Sequence, residues 1–445
     1  MTKILMFFIL SFNAFANLNL APPSFNYKDG KAIFMDIQKG EYKISYYPST
    51  FRSRVKTTWE FEIAEEGYPL FDFVPWGIRA KLNGKRVRLG RVRSPGKVTR
   101  YRVIKKKLKP GRYTLELNTK IKRGITFGFR RVNSGFFIKD LAQKKFLEKY
   151  VPANLEFDQY PITFDVKVRS KYEHIFVANG KHTKISFNHY KIEYPNYFSS
   201  SSVYFHVFKK GRYRWQEDTF TSINGKQIPV IVYTKKKYDT SSFMEKAKEY
   251  FDELERDYGA WTHRELIIYG MAKGGGMEYP GATATSLRSL GHEMFHSYFA
   301  KGVVPADGNS GWMDEGLASW RDNGYKTFDH PGYEMFNLGA HSPYKRNTDD
   351  NSYRVGRAFF AYLNSKFDLK RSLRGYYAKY KNSLVTTQMF IKYLEEDTGL
   401  YLEGEFFQFV LNPNHRKNFV ERIFKTKSVN EHHRHYSKKE MSAIL

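Results

Sequence analysis

The apolar residues of this 445-residue chain change period once, and that change limits its folds more than any other feature. Between about Ser24 and Phe208 they alternate with polar residues over short runs, among them 42–47, 57–63, 113–117 and 162–168. A period of two is that of a strand with one buried face. Asn83-Gly84 and Pro110-Gly111 stand between such runs, where a hairpin needs its turn. From Ser241 onward the repeat lengthens: Phe243, Ala247, Tyr250, Phe251 and Leu254 share one face of a helix over 241–258, with Ser241 or Ser242 as its cap. The spacing predicts an antiparallel β-domain over 17–208, a junction over 209–240 and an α+β, mainly helical domain over 241–445. In the last, a strand at 265–269 precedes helices at about 285–300, 313–323 and 353–367, with further helical segments to about residue 425. Residues 141–150 read as a short helix or an irregular excursion within the β-domain.

A chain of this length exceeds the usual size of one hydrophobic core, and its 38 Phe and 33 Tyr can fill two. It contains no cysteine, so disulfides and thiolate chemistry are excluded, and any metal must be held by His and carboxylates. Residues 1–16 have the form of a secretory signal: Lys3, a mostly apolar stretch over 4–15 and the small-x-small triplet Ala14-Phe15-Ala16. Export to the periplasm or medium, with cleavage near Ala16, is the expectation; an N-terminal membrane anchor is the alternative, though the stretch is short for a span. Lys and Arg outnumber Asp and Glu by 74 to 45, a formal charge of +29. Such a field favours anionic surroundings such as lipid head groups or envelope polymers, while the dispersed charges give no specific nucleic-acid signature. The His-rich tail at 432–435 has no partner pattern and reads as a solvated end.

The chemistry is concentrated in His292-Glu293-Met294-Phe295-His296, within an apolar-periodic stretch. One helical turn puts His292 and His296 on the same face, where both imidazoles can bind one metal with Glu293 beside it. With these donors and no sulfur, zinc is the favoured ion. Two histidines leave such a site incomplete. Trp312-Met313-Asp314-Glu315-Gly316 supplies Glu315 from a second helix, leaving a fourth position open for water. The pattern H-E-x-x-H is weak alone; the second segment at this distance makes it specific. Upstream, Gly274-Gly275-Gly276-Met277-Glu278-Tyr279-Pro280-Gly281 can present backbone at Gly275, Gly276 and Met277 to an extended peptide, with Glu278 facing a cationic amine. A tight turn carrying an exposed carboxylate is the other reading of that segment.

Together G-G-M-E-Y-P-G, H-E-M-F-H-S-Y-F and W-M-D-E-G-L-A-S-W resemble the aminopeptidase N-like family of gluzincin metallopeptidases, which includes the alanyl aminopeptidases and leukotriene hydrolase. The resemblance covers about residues 110–370 and is most specific between 270 and 320. It implies a saddle-like N-terminal β-domain with a thermolysin-like catalytic domain, one zinc ion, and peptides or protein N-termini as substrates. It also implies that Glu293 is the general base, that Glu278 holds the free α-amine, that Tyr353 hydrogen-bonds the oxyanion, with Tyr333 and Tyr344 as reserves, and that Gln143 assists from the β-domain. Three departures stand out. Tyr279 replaces the family's Asn, the interval from Glu315 to Tyr353 is short, and the chain ends without room for the family's large helical C-terminal domain. An endopeptidase of related fold, or a basic envelope-binding protein with a residual metal site, are the competing expectations.

Overall fold

A computed structural model describes residues 17–137, 146–272, 274–344 and 348–414. Residues 1–16, which the sequence reads as a secretory signal, Gln143 and the His-rich tail lie outside the described residues. The chain divides into two compact units, Met1–Arg212 and Tyr213–Leu445.

The first unit is built of strands. Its largest sheet has eight, in the order Lys181–Ser186, His189–Glu193, Ile162–Val168, Asp36–Tyr47, Arg52–Ile63, Gly111–Thr119, Arg79–Leu82 and Lys85–Val87. The alternation read from the sequence is the burial pattern: Tyr42, Ile44 and Tyr46 are buried, as are Val55, Trp59 and Phe61 on the paired strand. Asn83 and Gly84 both have positive φ, the conformation a two-residue hairpin turn demands. Buried hydroxyls are satisfied locally: Trp59 Nε1 donates to Tyr42 Oη at 3.0 Å, and that hydroxyl donates to the Pro152 carbonyl at 2.9 Å. The expectation of a wholly antiparallel domain needs correction. Ile162–Val168 runs parallel to Asp36–Tyr47, and Gly30–Phe34 runs parallel to Tyr68–Phe71. In each case a long excursion separates the partners, which frees the returning strand from the reversal a hairpin imposes.

The second unit combines a five-stranded sheet with helices. The sheet order is Tyr213–Thr221, Gln227–Lys235, Leu266–Met271, Ala282–Ser286 and Gly276–Tyr279. Residues read as a junction over 209–240 thus supply the first two strands of this sheet. The middle three strands run parallel, and Gly276–Tyr279 is an antiparallel strand at the edge. Helix α1 (Ser241–Tyr258) buries Phe243, Ala247, Phe251 and Leu254, the face its period predicts. Thr240 stands at its cap position, and the Asp239 carboxylate, not Ser241 or Ser242, accepts from the Ser242 N–H at 3.2 Å. Glu255, fully buried on α1, accepts from Ser222 Oγ, Ile223 N and Trp261 N and so fastens the helix to the turn of the first hairpin and to its own exit loop.

The helix expected over 285–300 is shorter. Ala282–Ser286 is a strand, Leu287–Ser289 a single 3-10 turn, and α2 spans Leu290–Phe295 with His296 as its C-cap. The β-branched Thr283 and Thr285 suit a ladder, and every residue of 282–286 is buried in the sheet. Helices α3 (Trp312–Asp322), α4 (Arg354–Lys366), α5 (Leu369–Tyr380), α6 (Thr387–Thr398) and α7 (Glu403–Phe409) follow. Trp312, Phe359, Phe360, Phe390 and Phe406 pack into one aromatic core among them.

Candidate metal centre

Three short elements bring the site together. His292 and His296 lie one turn apart on α2 and at its cap, with ring centroids 4.7 Å apart. Glu315 sits in the first turn of α3, and Tyr353 immediately precedes α4. Helices α3 and α4 cross closely because glycine faces glycine: a Cβ on Gly316 would strike Phe360 and the Gly356 backbone, and one on Gly356 would strike the Gly316 Cα. That approach sets Glu315 and Tyr353, each next to the crossing, side by side.

The donor atoms converge. His292 Nε2 lies 3.1 Å and His296 Nε2 3.3 Å from Glu315 Oε2, and the three potential ligand atoms all fall within 4.8 Å of one another. The opposite ring nitrogens are occupied elsewhere. His292 Nδ1 donates to Asp322 Oδ2 at 2.7 Å, and His296 Nδ1 lies 3.2 Å from the Phe299 carbonyl oxygen. Those contacts engage each Nδ1, so that Nε2 is the nitrogen each ring turns toward Glu315, the arrangement metal-binding histidines require. Asp322 in turn accepts from Arg321, whose guanidinium makes a two-bonded pair with Glu253 of α1. Among the described residues, His292, His296 and Glu315 form the group able to hold a metal ion. Two neutral imidazoles and a carboxylate, with no thiol available, are a donor set suited to zinc.

Burial and charge oppose each other here. Burial alone would lower both histidines; Asp322 and Glu315 reverse this for His292, and Glu315 does so for His296, which rises to about 9. Glu315 is pulled down by the same imidazoles against the effect of burial. Glu293, 5% exposed, is pushed up to about 8 by burial; the two histidines lower it, and Glu278 and Glu315 raise it. Burial raises Tyr353 well above the usual phenol, and Glu315, to which its hydroxyl is hydrogen-bonded, adds to the rise.

The edge strand passes over Glu293. A Cβ on Gly276 would overlap the Glu293 carboxyl, so only glycine fits that position with the carboxylate as it stands. Because side chains alternate along a strand, Gly276 and Glu278 face one side, while Met277 and Tyr279 are buried on the other. Gly275 precedes the strand, and its carbonyl accepts from the Ser286 N–H at 3.3 Å. The structure thus gathers Glu278, Gly276, Glu293, His292, His296, Glu315 and Tyr353 into one neighbourhood. Tyr333 is a buried tyrosine donating to the Val355 carbonyl at 3.3 Å, whereas Tyr353 stacks on the His292 ring at 6.2 Å.

Two residues escaped the sequence reading. Asp322 lies seven residues beyond Glu315, two turns along the same helix face, and that spacing could have marked it. Lys301 had no signal. Its ammonium, on a side chain only 6% exposed, lies 3.5 Å from Glu278 Oε1. The irregular turn after His296, where Lys301 N donates to the His296 carbonyl and Ala300 has positive φ, brings it there.

No protein-family model and no curated protein matches the sequence. Solved structures do share the fold. An M1 zinc metallopeptidase from Deinococcus radiodurans superposes with a TM-score of 0.57 at 15% identity, over 84% of this chain and 92% of that one. Legionella pneumophila aminopeptidase A, in complex with aspartic acid, gives 0.63 at 13% identity over 87% of this chain, which spans 50% of that longer protein. Leukotriene A4 hydrolase from Saccharomyces cerevisiae gives 0.60 at 13% identity, over 86% and 69% of the two chains. The chain therefore has the two-part fold of M1 zinc metallopeptidases, a β-rich N-terminal region followed by a helical part, in agreement with the group its motifs resemble.

Proposed function

We propose that this chain is an exported, zinc-dependent aminopeptidase with a thermolysin-like catalytic domain that removes N-terminal residues from peptides or proteins. The observation that carries the reading is the convergence of His292, His296 and Glu315, with each Nδ1 already engaged. Zinc held by these three residues supplies Lewis acidity toward the scissile carbonyl and toward water. Glu293 accepts the proton of the attacking water on its carboxylate and returns it to the leaving nitrogen. The Tyr353 hydroxyl donates a hydrogen bond to the oxygen on which charge develops. The Gly275-Gly276-Met277 edge takes the substrate backbone as an added strand, and Glu278 receives its α-ammonium. Residues 1–16 direct export, which N-terminal sequencing of secreted protein tests.

A second reading rests on Lys301. Glu278 already has a buried cationic partner, so a substrate amine meets a neutralised pair. That favours an endopeptidase indifferent to the amine. The two readings separate when zinc-loaded protein is given free and N-acetylated peptides and the products are weighed by mass spectrometry. The aminopeptidase reading expects single residues lost from free N-termini only, abolition by chelation, and Glu293→Gln retaining zinc while turnover falls by about 10²–10⁴-fold. Internal cleavage of acetylated peptides would favour the endopeptidase. Zinc-loaded protein inert toward both sets would end the hydrolase reading and favour a basic envelope-binding protein with a residual metal site.

A further inference from the structure

One end of the β-unit exposes large apolar side chains that the fold does not need. The hairpin Asp36–Tyr47/Arg52–Ile63 carries Phe51 at its tip, 61% exposed. The hairpin Ile125–Gly128/Arg131–Phe136 carries Phe129, 73% exposed, and the hairpin Lys181–Ser186/His189–Glu193 carries Ile185 and Phe187, both more than half exposed. Phe51 itself has φ of +52°, a conformation glycine or asparagine adopts more easily than phenylalanine. Folding alone would favour a small or polar residue at these tips.

The tips belong to one platform. The loop after Ile162–Val168 joins them: Arg169 N donates to the Tyr46 carbonyl at 2.9 Å, Ser170 Oγ to the Arg130 carbonyl at 2.6 Å, and Asn188 Nδ2 to the Ser170 and Tyr172 carbonyls at 3.1 and 2.7 Å. Phe51 also meets Phe127 edge-on at 6.1 Å. Around them the charge has one sign. Residues 47–54, 127–131, 169–173 and 184–189 include Arg52, Arg54, Arg130, Arg131, Arg169, Lys171 and Lys184, all exposed. Their one acidic residue, Glu173, is paired with Lys210 at 2.8 Å.

We infer that this end of the β-unit docks onto an anionic phospholipid bilayer, with Phe51, Phe129, Ile185 and Phe187 entering the head-group boundary and the surrounding arginines and lysines meeting lipid phosphates. Separate apolar tips within a cationic field combine the two contributions that hold a peripheral protein to a membrane. A soluble polyanion would be held by the cations alone and has no use for apolar groups at the tips of separate hairpins.

The test is co-sedimentation of the full chain with vesicles of phosphatidylcholine alone or enriched in phosphatidylglycerol. Binding is expected only to the anionic vesicles, falling about tenfold or more when Phe51, Phe129 and Phe187 are all changed to Ser, with thermal melt and peptide hydrolysis unchanged. Because the chain has no cysteine, Phe129→Cys can carry a single environment-sensitive fluorophore, whose emission should shift to the blue on the anionic vesicles. Failure to bind anionic vesicles, equal binding to neutral ones, or full binding by the triple variant would overturn the inference. Retained binding of the triple variant that disappears in about 0.5 M salt would assign the contact to charge alone, and so against it.

Discussion

Asp322 is the sharpest probe of the metal centre, because it touches His292 without being a ligand candidate itself. A carboxylate can only accept, so its 2.7 Å contact fixes the imidazole proton on Nδ1 and leaves Nε2 free to face Glu315. In Asp322→Ala the ring can place its proton on Nε2 or rotate, and either must be undone before a metal binds. Outer partners of this kind are worth about 10–100-fold in metal affinity. Asp322 is 39% exposed on its side chain, so water screens the pair and the lower end applies: about tenfold, or ~1.4 kcal/mol. The fold should tolerate the change, since Arg321 keeps both bonds to Glu253, at 3.0 and 2.8 Å. Zinc affinity measured by competition with a chromogenic chelator, beside the melting curve of the metal-free protein, gives the answer. Unchanged affinity with an unchanged melt would refute the argument that Asp322 orients the ligand.

Gly276→Ala should reduce turnover by about 100-fold with little loss of zinc, because its methyl group displaces either Glu293 or the edge strand; equal turnover would mean the strand yields freely. Acid should weaken the second unit through His263, 3% exposed with Nε2 2.7 Å from the Ser297 carbonyl oxygen and held down to about 4 by burial. The unfolded imidazole titrates near 6.5, so between pH 6.5 and 4 the unfolded chain binds a proton the folded one refuses. Stability is therefore full above that window and falls through it by on the order of 3 kcal/mol. Denaturant midpoints across the window, compared with those of His263→Gln, check this: the variant's should be flatter.

Much of this protein was legible locally. The switch from a period of two to one near 3.6 located the β-rich and helical regions, because burial of one face of a strand or helix writes its own repeat into the chain. Asn83-Gly84 announced its turn for the same kind of reason, a φ that few residues accept. Thr285 and Ser286 were read wrongly as the start of a helix, since a fully buried strand of small residues has no alternation to display.

The sequence by itself determined that two imidazoles would lie a helical turn apart beside a carboxylate, because that relation is set by helical geometry within five residues. Only the tertiary structure decided that Glu315 of α3 comes within reach of both rings of α2, that a glycine crossing of α3 and α4 sets Tyr353 beside it, and that Asp322 and Lys301 stand where they do. It also decided that three hairpins remote in sequence, drawn from two sheets, present their aromatic tips at one end of the first unit. Those relations depend on loop paths and on packing between elements far apart in the chain, and neither leaves a periodic trace in the order of residues.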